Sequence, residues 1–158
     1  MLFIRRPRHQ ALPRLPRLPA RQQFGCVVKD DMQPLYAALE HADALILGSP
    51  VCMGQMTGQA KIFMDRLFAQ IHPRFSPQFK EEHAGKKLLL LYTQGNPNAA
   101  MFKEYFDYVE RMFGLLEFEV KGVHVFAGMR AESARKRTDL PALLKSIGAS
   151  FASRQTRV

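Results

Sequence analysis

The 158-residue sequence predicts an α/β fold: a parallel sheet with helices on both faces, three layers in all. Two observations carry that expectation. Short apolar runs alternate along the chain with longer stretches of helical periodicity. The runs themselves are continuously apolar, as strands buried on both faces of a parallel sheet must be. No internal repeat is present.

Residues 1–24 stand apart. Pro7, Pro13, Pro16 and Pro19 block helix, and Leu12-Pro13, Leu15-Pro16 and Leu18-Pro19 recur every three residues, a pattern that favours extended polyproline conformation. A basic leader outside the folded domain is expected here, and an organelle presequence fits poorly because the prolines spoil its amphipathic helix. The domain is expected over residues 25–152, with 153–158 as a tail.

After Gly25, Asp30 and Asp31 can cap a helix carrying Leu35, Ala38, Leu39 and Ala42, with Pro34 tolerated in its first turn. Ala44-Leu45-Ile46-Leu47 reads as a buried strand ending at Gly48-Ser49-Pro50. Thr57 is the expected N-cap of a second helix, on which Ala60, Phe63, Met64, Leu67, Phe68 and Ile71 share one face. Residues 72–84 form a long connection. Leu88-Leu89-Leu90-Leu91-Tyr92 is the next strand, ending in Thr93-Gln94-Gly95-Asn96-Pro97-Asn98. A helix then buries Phe102, Tyr105, Phe106, Val109 and Phe113, with Gly114 as its expected terminator. Phe118 to Phe126 is the last strand, 127–138 a basic loop, and Leu140, Leu143, Leu144, Ile147 and Phe151 mark the final helix.

The formal charge of +9 is unevenly placed. Residues 1–24 contain six arginines and no acid, while the other 134 residues hold 17 Lys+Arg against 14 Asp+Glu. That near balance argues against a nucleic-acid-binding domain. No apolar run approaches the roughly 18 residues of a membrane-spanning helix. Cys26 and Cys52 are too few for a disulfide scaffold, a zinc site or an iron–sulfur cluster, and the scattered histidines show no metal-ligand spacing.

Ligands of open parallel sheets bind beyond the carboxyl ends of the strands. Two loops qualify: Gly48–Thr57 and Thr93–Asn98. Both run into helices and offer backbone amides and small residues. Val51, Met53 and Met56 add apolar surface suited to a flat ring. Taken alone, either loop could also be a simple turn.

The run Asp30-Asp31-Met32, Ala42-Asp43, Gly48-Ser49-Pro50-Val51, Thr57-Gly58-Gln59-Ala60-Lys61 and Asp65-Arg66 resembles the NAD(P)H-dependent FMN reductase-like branch of the flavodoxin-like superfamily. Within it, the iron–sulfur flavoproteins are the most similar group, and Phe126-Ala127-Gly128-Met129-Arg130 also fits. The resemblance spans about residues 25–150. It implies FMN held by Ser49, Pro50, Val51, Cys52, Met53, Gly54 and Thr57 on one side and Thr93, Gln94, Gly95 and Asn96 on the other. NAD(P)H is implied as electron donor. Hydride transfer to a flavin requires no protein acid or base, so no catalytic residue is expected, and no metal ligand. Asp65 and Arg66 are expected in structural or subunit contacts. Arg130, Arg135, Lys136 and Arg137 could meet the phosphates of the nicotinamide nucleotide. A cytoplasmic homo-oligomer is expected.

Three departures from the family pattern stand out. Position 52 is Cys where the family commonly has Tyr, and a small half-buried side chain is expected there. The family's first two strands and phosphate-cradling loop are not recognisable before Asp30, so the sheet is expected to be N-terminally incomplete, with Ala44–Leu47 an unpaired apolar edge. Cys26 fits the last position of the cysteine run of iron–sulfur flavoproteins. The Leu-Pro repeat upstream is what a one-nucleotide shift of a Cys-x-x-Cys-x-x-Cys run would encode in a GC-rich gene, and no cluster is expected in the chain as it stands. The alternative function is a non-catalytic fragment that self-associates, or binds a partner, along its exposed sheet edge.

Overall fold

The computed structural model describes residues 28–67, 85–130 and 134–152. The expected basic leader, Cys26, the continuation of the second helix through Phe68 and Ile71, the connection 72–84 and the tail 153–158 lie outside the described residues.

The elements alternate as the sequence predicts. They are α1 (Met32–His41), β1 (Ala44–Cys52), β2 (Gln55–Met56), α2 (Gly58–Leu67), β3 (Lys87–Thr93), α3 (Lys103–Leu115), β4 (Glu119–Phe126) and α4 (Leu140–Ala152). The sheet order is β2-β1-β3-β4. β1, β3 and β4 are parallel, and β2 folds back antiparallel on the end of β1 through Val51↔Met56 and Cys52↔Gln55. The sheet is therefore mixed, because β1 does not stop at Gly48 but runs on to Cys52 and turns into a hairpin.

One face of the sheet carries Leu47, Leu88, Leu90 and Tyr92. They form a single core with Met32, Tyr36 and Leu39 of α1, Phe63, Met64 and Leu67 of α2, and Phe106, Val109 and Phe113 of α3. Each such fully buried side chain contributes about 1.5–3 kcal/mol. α4 lies on the other face, where Lys87 Nζ donates to the Phe151 carbonyl at 3.3 Å. Among the described residues this face carries one helix against three on the other, and its strands are less evenly covered than their continuously apolar runs predict. β3 is buried on both faces, but Ile46, in register with Leu89, is 54% exposed, and Leu143 and Leu144 of α4 are each 44% exposed. Along Ala44–Pro50, β1 pairs only with β3 among the described residues.

Three local devices fix the helices. Asp30 Oδ1 accepts from the Met32 amide at 3.1 Å at the entry to α1, whose N-cap residue Asp31 makes no side-chain cap bond, and both Asp30 oxygens grip the fully buried Arg66 guanidinium at 2.6 and 3.0 Å. Arg66 is thus structural, as expected, and Asp65 pairs with Lys61 one turn away on the exposed side of α2. Lys86 Nζ donates to the carbonyls of Leu39, Glu40 and Ala42 at 2.9, 2.7 and 3.0 Å, a buried cation placed on the carboxyl end of α1. At the end of α3 the terminator is Glu117 rather than Gly114. Glu117 takes a positive φ of 63°, its amide donates to Gly114 and that of Phe118 to Phe113, and the Phe113 and Phe118 rings meet edge to face at 5.7 Å. This is the double hydrogen bond and apolar clasp of a Schellman end, built without glycine at the left-handed position.

Candidate functional site

The parallel register Pro50↔Thr93 and Thr93↔Phe126 brings the carboxyl ends of β1, β3 and β4 side by side. Three segments leave the sheet there: the Cys52–Gln55 turn, the Thr93–Asn98 loop and residues 127–130.

The first is a two-residue hairpin. Met53 and Gly54 have φ of 50° and 80°, the mirror-image turn that matches strand twist. Gly54 is required twice over: its φ is left-handed, and a Cβ there would stand 3.2 Å from the Phe102 ring. Phe102 immediately precedes α3, so the hairpin tip leans on the end of the second loop. The Tyr105 hydroxyl accepts from the Met56 amide at 3.3 Å and reinforces that contact. Ser49 Oγ accepts from the Thr57 amide at 3.0 Å, and Thr57 Oγ1 caps α2 by accepting from Ala60 at 3.3 Å, as the sequence predicts. These two side chains lock the hairpin to α2.

The second loop is tied internally. The buried Gln94 side chain donates to the carbonyls of Asn96 and Asn98 at 3.2 and 2.6 Å, and its Oε1 has no partner among the described residues. Asn96 Oδ1 accepts from Asn98, and Asn98 Oδ1 from Ala100. The loop is also joined to the third segment. Gln94 N donates to Phe126 O at 3.0 Å, Gly128 N to Asn96 O at 2.9 Å and Met129 N to Gln94 O at 3.0 Å. Arg137 braces this segment from outside, donating to Ala127 O at 3.1 Å while pairing with Asp139. The hydrogen bond from Arg137 holds the Asp139 carboxyl below its ordinary range.

The eleven sequence-predicted residues therefore divide. Ser49, Thr57 and Gln94 turn their polar groups inward as braces. Val51 packs against the core, and so does the neighbouring Met56, which is buried rather than offered to a ring. Pro50, Cys52, Met53, Thr93 and Gly95 are exposed at the rim, with Gly54 and Asn96 partly so. Cys52 is a free, exposed thiol, not the half-buried side chain expected. Of the four basic residues expected near the site, Arg130 lies over Gly95, Arg137 is engaged as a brace, and Arg135 and Lys136 are exposed. Sequence reasoning missed the supporting roles of Phe102, Tyr105 and Lys86. The first two read as core aromatics, and nothing in the sequence separates them from the rest.

A profile of the family described as NADPH-dependent FMN reductase matches residues 8–106, more than half of the chain. The chain belongs to that family. Similar proteins include an iron–sulfur flavoprotein of Methanocaldococcus jannaschii, 48% identical over 46 residues, which is 29% of this chain and 23% of that protein. Another, from Archaeoglobus fulgidus, is 40% identical over 60 residues, 38% of this chain and 26% of that protein. The matched segment thus spans about a quarter of these relatives. Among solved structures, the Trp repressor binding protein from Bacillus subtilis superposes with a TM-score of 0.57 at 21% identity, covering 80% of this chain and 73% of that one. An NADH:FMN oxidoreductase gives 0.56 at 23% identity, covering 82% and 63%. These likenesses establish the flavodoxin-like α/β fold.

The rim fits the ring portion of a flavin. Pro50 and Met53 supply exposed apolar surface, Gly48 leaves open space beside β1, and the amides of Gly95 and Asn96 are not spent on the backbone bonds that tie the loop. The stretch before Val28, in which the sequence shows no recognisable phosphate-cradling loop, lies outside the described residues. Among the described residues no three His, Cys, Asp or Glu side chains gather as metal ligands, and no helix is long and apolar enough to cross a membrane.

Proposed function

We propose that this protein is an FMN-dependent NAD(P)H oxidoreductase whose flavin ring rests between the β1–β2 hairpin and the Thr93–Asn98 loop. The observation that supports it best is the braced ledge at the carboxyl ends of β1, β3 and β4, in a chain of the NADPH-dependent FMN reductase family. Bound FMN supplies a two-electron carrier between the nicotinamide nucleotide and an acceptor. The chain's own part is to hold and shield that ring. Pro50, Val51, Cys52, Met53 and Gly54 form one wall, fixed by Ser49 and Thr57. Thr93, Gln94, Gly95 and Asn96 form the other, and on this reading the Gly95 and Asn96 amides donate to the ring's polar edge. No side-chain acid or base is needed for the transfer. On this reading the protein works as a cytoplasmic homo-oligomer, and the exposed Ile46, Leu143 and Leu144 supply apolar side chains that a second copy can cover.

The test is titration of the purified full chain with FMN, followed by flavin fluorescence, and then NADH or NADPH oxidation under steady state. Saturable FMN binding with FMN-dependent nucleotide oxidation supports the proposal. The same exposed apolar side chains favour a second reading, a non-catalytic protein acting through self-association. A colourless oligomer that neither binds FMN nor oxidises NAD(P)H would establish that reading instead.

A further inference from the structure

Arg130 is placed unlike the paired cations of the described residues. Arg137 is paired with Asp139, Arg66 with Asp30, Lys103 with Asp107 and Lys121 with Glu119. Arg130 enters none of the ion pairs or hydrogen bonds formed by the described residues, yet its side chain is not simply extended into solvent. It lies along the backbone of Gly95. A Cβ built on Gly95 would stand 3.3 Å from Arg130 Cβ, 3.4 Å from Nε and 3.9 Å from Cζ. The absence of a side chain at 95 is what lets the guanidinium settle against this loop.

The base of Arg130 is held firmly, and its tip pairs with no acid among the described residues. The bonds Gln94 N–Phe126 O, Gly128 N–Asn96 O and Met129 N–Gln94 O join its segment to the loop at three consecutive points. Gly128, with φ of 72°, makes the turn that these bonds require. Arg137 holds Ala127 from the other side. The result is a positive charge on an anchored segment, neutralised by no acid among the described residues, in contact with the very backbone that, on the FMN reading, lines the ring edge.

A charge near the ring acts differently on the two states of a flavin. The oxidised ring is neutral. Two electrons and one proton convert it into an anion whose negative charge lies on the ring's polar edge, and protein charges there tune the cofactor. Resting on the FMN reading, we propose that Arg130 makes this site select the reduced anionic flavin over the oxidised one. An opposite charge within about 4–6 Å shifts an ionisation equilibrium by roughly 1–3 logarithmic units, and solvent exposure of Arg130 places the effect at the lower end, about tenfold.

The experiment measures dissociation constants for oxidised FMN and for FMN reduced anaerobically by light, with a tertiary amine as electron donor, so no turnover is involved. Wild type, Arg130→Ala, Arg130→Lys, Gly95→Ala and Arg135→Ala are compared, each checked by circular dichroism. The readout is the preference for reduced over oxidised FMN. In Arg130→Ala it falls about tenfold, with oxidised FMN bound within twofold of wild type. Arg130→Lys keeps most of it. Gly95→Ala lowers it with the charge still present, because the new Cβ displaces the guanidinium. Arg135→Ala, an exposed cation elsewhere on the same loop, leaves it unchanged. Equal preference in wild type and Arg130→Ala overturns the inference while leaving FMN binding intact. So does an equal weakening of both states, the signature of a phosphate contact, or an equal loss in Arg135→Ala, the signature of general surface charge. Failure of wild type to bind FMN in either state overturns the FMN reading and this inference together.

Discussion

Tyr92→Phe should make this protein more stable, although it deletes a polar group from the best-packed strand. Tyr92 is 1% exposed and stacks on Phe106 with ring centroids 4.4 Å apart and planes 24° apart. Its hydroxyl has no hydrogen-bond partner among the described residues. A buried hydroxyl stripped of water and left unbonded costs about 1–3 kcal/mol. Phenylalanine removes that cost and keeps the stack, while the vacated oxygen leaves a void smaller than a methyl group. The expected net gain is about 1 kcal/mol, a rise in Tm of roughly 2–4 °C for a chain of this size. Urea titration should show a higher midpoint at unchanged slope. The pH dependence gives an independent check. Burial, with the nearby Tyr105 adding to it, pushes the phenol's pKa up from its ordinary value near 10. The folded state therefore holds this proton where the unfolded state has released it, so stability declines as pH rises above about 10. Tyr92→Phe should flatten that decline. A destabilised variant, or one with the wild-type decline intact, would refute the account of Tyr92 as an unsatisfied donor.

Gly54→Ala should strain the hairpin at its left-handed position and crowd Phe102, weakening FMN binding about five- to tenfold in fluorescence titration with the circular dichroism spectrum preserved. Lys86→Met should strand three carbonyls at the end of α1 and cost about 2–3 kcal/mol in urea denaturation. In a Cys26→Ser background, saturating FMN should slow alkylation of the exposed Cys52 thiol several-fold; an unchanged alkylation rate would place the ring away from the hairpin.

The alternation of elements was legible because it is written in local pattern. Consecutive leucines at 88–91 and the spacing of Phe106, Val109 and Phe113 need no neighbour to be read. The Thr57 cap and the structural role of Arg66 were legible for similar reasons, the first from local capping chemistry and the second from the family pattern. The end of α3 was not. Gly114 carries the usual terminator's identity, but the chain continues to Glu117, because Phe118 reaches back to Phe113 and that apolar contact outweighs the strain of a positive φ.

The site divides along the same line. The α/β class, the family and the two loops at the strand ends are legible in the chain itself, since each depends on residue types at short spacing. How those loops are braced came from tertiary packing. It turned Ser49, Thr57 and Gln94 inward as braces and buried Met56. It set Phe102 against Gly54 and laid Arg130 along Gly95. It also left Ile46 half uncovered, although its run reads as apolar as that of β3. Burial and charge pairing are properties of what packs against a residue across long stretches of chain, and no local pattern encodes them.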